Sequence, residues 1–200
     1  MDTKMLQLLK QELLNFRYSI KQYQDLESKE IVELLNKIAP EFFGLYQHLS
    51  WDYFILSVSR LLDEDKRVIS IAKFHKQNRT TLKENEALHV DEQLRELQNE
   101  KLKFEEARNN FVGHKSVEAF ESEMKLTFSI KEAEAIWSKM VKSLETYDPS
   151  IRGYHSMSDL SQGAKALLNH LRTSTLLDDV DRDPLFDRGR TPFSGPHVFP

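Results

Sequence analysis

Leu94-Arg95-Glu96-Leu97-Gln98-Asn99-Glu100-Lys101-Leu102-Lys103-Phe104-Glu105-Glu106-Ala107-Arg108-Asn109-Asn110-Phe111-Val112-Gly113-His114 decides how this chain is read. Steps of three and four residues put Leu94, Leu97, Lys101, Phe104, Arg108 and Phe111 along one stripe of an α-helix. Arg108 therefore shares its stripe with two phenylalanines. An arginine so placed must snorkel outward along its stem or meet an anion. Gly113 is a natural helix stop, so His114 is expected just past the end, free to turn back toward Arg108.

Working outward, the same period recurs. Met5, Leu9, Leu13, Phe16, Ile20 and Tyr23 mark one face of a long amphipathic helix, and Ile31, Leu34, Leu35 and Ile38 a shorter one. Pro40 either ends the second or opens a third. From Phe42 to Leu62 apolar residues nearly surround the helix, which predicts the central and most buried element, ended by the solvated turn Asp63-Glu64-Asp65. A short helical piece is expected over Val68 to Phe74. Thr81-Leu82-Lys83-Glu84 and Ser129-Ile130-Lys131-Glu132 both have capping-box form. The second opens a helix carrying Ile130, Ala133, Trp137, Met140, Val141 and Leu144, stopped by Asp148-Pro149. A last helix is expected around Leu160 to Leu171. From Asp178 the character changes: the tail holds Pro184, Pro192, Pro196 and Pro200 and has no period. The expected organisation is thus an all-α domain over 1–177 with an extended or disordered tail over 178–200.

Composition narrows the function classes. With 200 residues, 40% hydrophobic and 30% charged, the chain can bury a core under a solvated surface. A net charge of -4 leaves no global basic field, so any nucleic-acid contact must be a local patch. The absence of cysteine removes disulfides, thiolate metal sites and cysteine nucleophiles, and fits a reducing compartment. Neither a signal-peptide pattern at the N-terminus nor a bilayer-length apolar run is present, so a cytoplasmic location is expected. Other signals fail on inspection. Asp179 to Asp183 imitates a calcium loop, but Pro184 and Arg190 stand where Gly and Glu are needed. The remaining histidines lack metal-ligand spacing, and neither a phosphate-binding loop nor a nucleophile elbow occurs. No metal and no cofactor is expected.

Arg108-Asn109 followed by His114 fits the R-x(4–6)-H form of the HEPN superfamily of helical nucleases and nucleotide-binding proteins. The surroundings resemble its AbiU-type branch, associated with bacterial abortive phage infection. There a Trp-containing apolar helix ending in Arg-Leu-Leu-Asp precedes the motif helix, as Trp51 to Leu56 and Arg60-Leu61-Leu62-Asp63 do here. The resemblance covers residues 40 to 145 or so. Gly113 replaces the common Ala before the histidine, and Ser116 stands where some toxin members carry a tyrosine. A second match in the tail, Arg190 with His197, lacks the asparagine, the periodic helix and the upstream segment.

The resemblance implies a helical bundle that dimerises and cleaves RNA without metal through attack of the 2′-hydroxyl on the adjacent phosphate. His114 would move protons, Arg108 would neutralise charge on the phosphorane, and Asn109 would orient one or the other. Arg60 and Lys115 are weaker candidates for RNA contact. Arg60 is expected to pair with Asp63 or Glu64, and Trp51, Tyr53 and Phe54 to belong to the core. Set against this, Arg108 could pair with Glu105 or a carboxylate on another helix, and His114 could bind helix-end carbonyls. The function alternatives are a phage-defence or toxin endoribonuclease and a non-catalytic helical dimer binding RNA or a partner protein. An antitoxin-like or adaptor partner using the tail is a third.

Overall fold

The computed structural model describes residues 1–65, 67–109, 129–156 and 162–175. The elements are α1 (Thr3–Leu26), α2 (Lys29–Ile38), α3 (Pro40–Leu61), α4 (Ile71–Asn78), a 3₁₀ turn (Arg79–Thr81) and α5 (Glu84–Ala107). After residue 128 come α6 (Ile130–Glu145), a second 3₁₀ segment (Pro149–Ser156) and α7 (Gln162–Thr175). Among the described residues there is no strand, so the fold is all-α as the periodicity predicts. Nor is any described helix long and apolar enough to cross a membrane.

Four long helices close a ring in which α1 packs on α3, α3 on α5, α5 on α6 and α6 back on α1. Side-chain contacts fix the directions. Arg60 reaches Glu12 while Tyr46 reaches Gln22, so α3 runs antiparallel to α1. Lys10 meets Asp148 while Arg17 meets Glu134, and Lys103 meets Glu132 while Lys139 meets Glu100. Hence α6 is antiparallel to both α1 and α5, the arrangement of an up-and-down four-helix bundle.

The apolar face of α1 read from sequence is the one that is buried: Leu9, Leu13, Phe16 and Ile20 are fully enclosed, each worth about 1.5–3 kcal/mol of transfer free energy. Opposite them stand Trp137, Met140, Val141 and Leu144 of α6 and Phe54, Ile55, Val58 and Leu61 of α3. Trp137 is wholly buried, and its indole N–H donates to the Leu13 carbonyl at 2.8 Å, which removes the cost of enclosing a polar group. Beside it the buried Arg17 pairs with Glu134 and lays its guanidinium 4.7 Å from the Trp137 ring. A second, smaller cluster joins Leu26, Leu35 and Phe43 to Ala164 and Leu168 of α7.

Helix ends follow local chemistry. Asp2, Ser28, Ser70 and Ser129 each accept a backbone N–H as N-caps. The Ser129–Glu132 capping box forms in both directions, with Ser129 N–H donating to Glu132 at 2.7 Å. The Thr81–Glu84 box does not form. Thr81 donates instead to the Asn78 carbonyl, Glu84 pairs with Arg79, and Glu86 accepts the Lys83 N–H that opens α5. The short helix expected over Val68 to Phe74 lies at Ile71–Asn78, because Ser70 supplies the cap. The third helix corrects another expectation. It is not buried all round: Phe42, Leu45, Leu49 and Leu56 are exposed, and α1 and α6 are the elements that touch most of their neighbours. The final helix starts at Gln162, two residues after the expected position, and the tail over 178–200 lies outside the described residues.

Candidate functional site

Leu94, Leu97, Lys101 and Phe104 of α5 are all buried, so the stripe predicted from sequence faces the bundle. Lys101 is tolerated there because Glu105, one turn on, takes its ammonium at 2.8 Å. Phe104 and Ala107 join the core that holds Trp51 and Phe54. Trp51 is itself fixed by its indole N–H donating to the Tyr23 hydroxyl at 3.1 Å. These aromatics are core, as expected, with Tyr53 half-buried at the edge.

The helix loosens where its chemistry begins. Arg108 and Asn109 lie in a π-helical turn, a wide turn that recurs at functional sites. The Arg108 amide still donates to the Phe104 and Glu105 carbonyls. The half-buried Arg108 guanidinium donates through Nε and Nη2 to the Asn109 side-chain oxygen at 3.3 and 3.1 Å. A neutral amide orients the fork without discharging it. Three carboxylates of α5 and α6 are paired with lysines: Glu105 with Lys101, Glu132 with Lys103 at 3.0 Å, and Glu100 with Lys139. Lys103 and the Ser129 amide hold the Glu132 carboxyl below its usual range, so it stays an acceptor committed to them. Among the described residues no carboxylate pairs with Arg108.

His114 and Lys115 lie outside the described residues, as do Asn110, Phe111 and Gly113. Arg60 is described. It pairs with Glu12 on α1 rather than with Asp63 or Glu64, because the antiparallel register sets Glu12 beside the last turn of α3. Asp63 and Asp65 are used by the turn itself, accepting the amides of Asp65 and Arg67. The neighbouring Leu62 carbonyl accepts from Gln98 of α5 at 2.8 Å, so the Arg-Leu-Leu-Asp segment is tied directly to the motif helix. Ten residues of α5 separate Gln98 from Arg108, roughly 15 Å along the helix axis. Arg60 and Arg108 are therefore not brought together within one chain.

A second polar constellation has no signature in the sequence. Buried His75 stands between the Tyr147 hydroxyl, 2.6 Å from Nδ1, and Asp91, 2.7 Å from Nε2. Arg79 donates to Asp91 at 3.1 Å and to Glu84 at 2.8 Å. Burial raises the Asp91 carboxyl, but the His75 and Arg79 hydrogen bonds outweigh it and hold the group below the usual carboxylate range. An ionised Asp91 only accepts, so Nε2 carries hydrogen; with a neutral imidazole, Nδ1 accepts from Tyr147. Burial, with Asp91 nearby, pushes the Tyr147 phenol up to about 12. The cluster spans α4, the start of α5 and the end of α6, and it clamps them at the end of the bundle away from Arg108. Its members lie 16 and 72 residues apart, separations that no local motif reports. Among the described residues no group of three potential ligands could hold a metal ion.

A shallow groove between α5 and α6 is lined by His89, Glu92, Gln93, Glu96, Lys139 and Lys142. Lys139 is already paired with Glu100 and Glu96, so the groove offers little free charge.

No curated protein and no solved structure matches the chain. The family model for AbiU2, a HEPN domain, matches residues 3–159. That span takes in the whole four-helix ring and the motif, and reaches further in both directions than the stretch that carries the resemblance in sequence. It ends before α7. The chain belongs to the AbiU2 family of HEPN-domain proteins.

Proposed function

We propose that the protein is a metal-independent endoribonuclease of phage-defence or toxin type, acting through Arg108, Asn109 and His114. The observation that carries this reading is the Arg108 guanidinium, oriented by Asn109 at the end of a buried stripe and without a carboxylate partner among the described residues. A structural arginine in that position would be expected to take Glu105, which Lys101 holds instead.

In this reaction the ribose 2′-hydroxyl attacks the adjacent phosphorus, the P–O5′ bond breaks, and the products are a 2′,3′-cyclic phosphate and a 5′-hydroxyl. His114 takes the proton from the 2′-hydroxyl or returns one to the leaving oxygen. Arg108 meets the phosphorane with two parallel hydrogen bonds, which act where charge develops. Dependence on the 2′-hydroxyl makes the substrate RNA and not DNA. One arginine and one histidine make a thin site, so two copies of the chain contribute a pair of motifs to one cleft. Arg60 and Lys115 are left as secondary RNA contacts.

Incubating RNA and its all-deoxy counterpart with the protein in excess chelator tests the reading. RNA cut to cyclic-phosphate ends, with DNA intact, supports it; intact RNA, or cleavage only with added metal, rejects it. The non-catalytic alternative, a helical dimer that binds RNA or a partner protein, draws on the net charge of -4 and predicts binding without cleavage.

A further inference from the structure

On α3 the exposed apolar residues are not scattered. Phe42, Leu45, Leu49 and Leu56 are 61%, 56%, 55% and 46% exposed, and half-buried Tyr53 lies between the last two. At 100° per residue these five positions fall within a band about 80° wide, so they form one stripe about 21 Å long. Four large side chains so aligned reach the few hundred Å² at which an exposed patch on a monomer marks a contact site.

The chain itself leaves the described fold beside this stripe. Ala164 and Leu168 of α7 are buried in the small cluster that contains Phe43, and Leu171 packs against it. The Phe43 ring in turn meets Phe42, the first residue of the stripe, edge to face with centroids 5.1 Å apart. Helix α7 ends at Thr175, about 6 Å along its axis from Leu171. Residues 176–200 therefore start close to the Phe42 end.

Those residues carry large apolar side chains at a matching interval. Phe186 and Phe193 are seven positions apart, and Pro184 and Pro192 bias the residues before them toward extended backbone. Such a segment advances about 3.1 Å per residue, so the two rings stand about 22 Å apart, the length of the stripe. The run from Thr175 to Phe186 spans up to roughly 35 Å, ample to bring Phe186 to Phe42.

We infer that residues 176–200 fold back along α3 of their own chain, parallel to the helix, with Phe186 against Phe42 and Leu45 and Phe193 against Tyr53 and Leu56. Charges agree with this direction. Arg190 falls about 12 Å from the Phe42 end, and Asp52 about 15 Å. Asp52 pairs with exposed His48 at 3.7 Å, a length at which an arginine fork competes well. Asp178, Asp179, Asp181 and Asp183 precede Phe186, and exposed Lys37 stands in the last turn of α2, next to the start of α3. Tethering supplies on the order of millimolar effective concentration, so two rings and an ion pair suffice to hold the contact. Neither Arg108 nor cleavage takes part in it.

The chain contains no cysteine, so a pair can be placed where the register requires. Gly189 and Leu49 both fall about 10 Å from the Phe42 end. Full-length Leu49→Cys/Gly189→Cys and Leu88→Cys/Gly189→Cys, each an equal mixture of isotope-labelled and unlabelled chains with wild-type helicity, are treated with a short bismaleimide. Leu88, 55% exposed on α5, is the control, because the Gln98–Leu62 contact places it roughly 35 Å from Leu49 along the bundle axis. Mass spectrometry of the cross-linked peptides is expected to show the 49–189 link about tenfold above the 88–189 link and confined to single chains. Adding Phe186→Ser and Phe193→Ser should reduce it to the control level. A 49–189 yield no greater than the control, a link that joins labelled to unlabelled chains, or one that survives loss of both phenylalanines would overturn it.

Discussion

Glu105 gives its carboxylate to Lys101 at 2.8 Å, not to Arg108, which follows it on the same helix. Among the described residues Arg108 then has no carboxylate partner. This predicts that Arg108→Ala changes the folding free energy by no more than about 0.5 kcal/mol, because no described ion pair is lost. The same change should slow RNA cleavage about a hundredfold or more, the usual cost of removing one donor from developing charge. Urea denaturation and a cleavage time course, run on the same preparation, measure the two separately.

Arg17 is the contrasting arginine. It is buried, paired with Glu134 and stacked on Trp137, and Gln24 also donates to Glu134 at 2.9 Å. Burial raises the Glu134 carboxyl, but the Arg17 and Gln24 hydrogen bonds outweigh it and leave the pKa lowered. Glu134→Ala should cost about 2 kcal/mol, below the full buried-pair penalty because the carboxylate is partly exposed. Adding Arg17→Met should restore part of the loss, since it removes the stranded charge. A double-mutant cycle in urea reads the coupling.

The acid limb of stability should carry the mark of Asp148. Hydrogen bonds from Lys10 and Ser150 lower its carboxyl to about 2. The folded pKa lies below the unfolded one, so this stability is present above about pH 4 and is lost as pH falls toward about 2. Because the group is largely solvated, the contribution is below about 1 kcal/mol. Asp148→Asn should flatten that part of a stability-against-pH curve.

At high pH the sign reverses. The folded pKa of Tyr147, about 12, lies above its ordinary 10.0, so the neutral phenol is favoured by folding. Its contribution is intact below about pH 10 and is lost as pH rises toward 12. Tyr147→Phe should remove this alkaline loss and, by depriving buried His75 of a partner, cost about 1 kcal/mol at neutral pH. Thermal melts of the wild type and Tyr147→Phe across pH 7–11 check both effects.

Much of the fold is written in local period. The α1 face from Met5 to Tyr23, the Leu94-to-Phe104 stripe and the Ser129–Glu132 cap each depend on neighbours within one or two turns. What failed needed information from elsewhere in the chain. Thr81 looks like a cap, but the Asn78 carbonyl and the Arg79–Glu84 pair claim its surroundings. Phe42, Leu45, Leu49 and Leu56 look like core, yet ring closure by α1 and α5 uses only the opposite face of α3. The buried stripe that leads to Arg108-Asn109 was legible because its period is local. The Arg60–Glu12 pair and the His75 clamp were not, because their partners meet only through antiparallel packing.

The most direct measurement is cleavage of total cellular RNA in excess chelator by wild type, Arg108→Ala and His114→Ala, with helicity and oligomeric state checked alongside. The account predicts that wild type cuts and that both variants, folded and dimeric, do not. Cleavage by either variant at the wild-type rate would contradict it and return Arg108-Asn109 and His114 to a purely structural role.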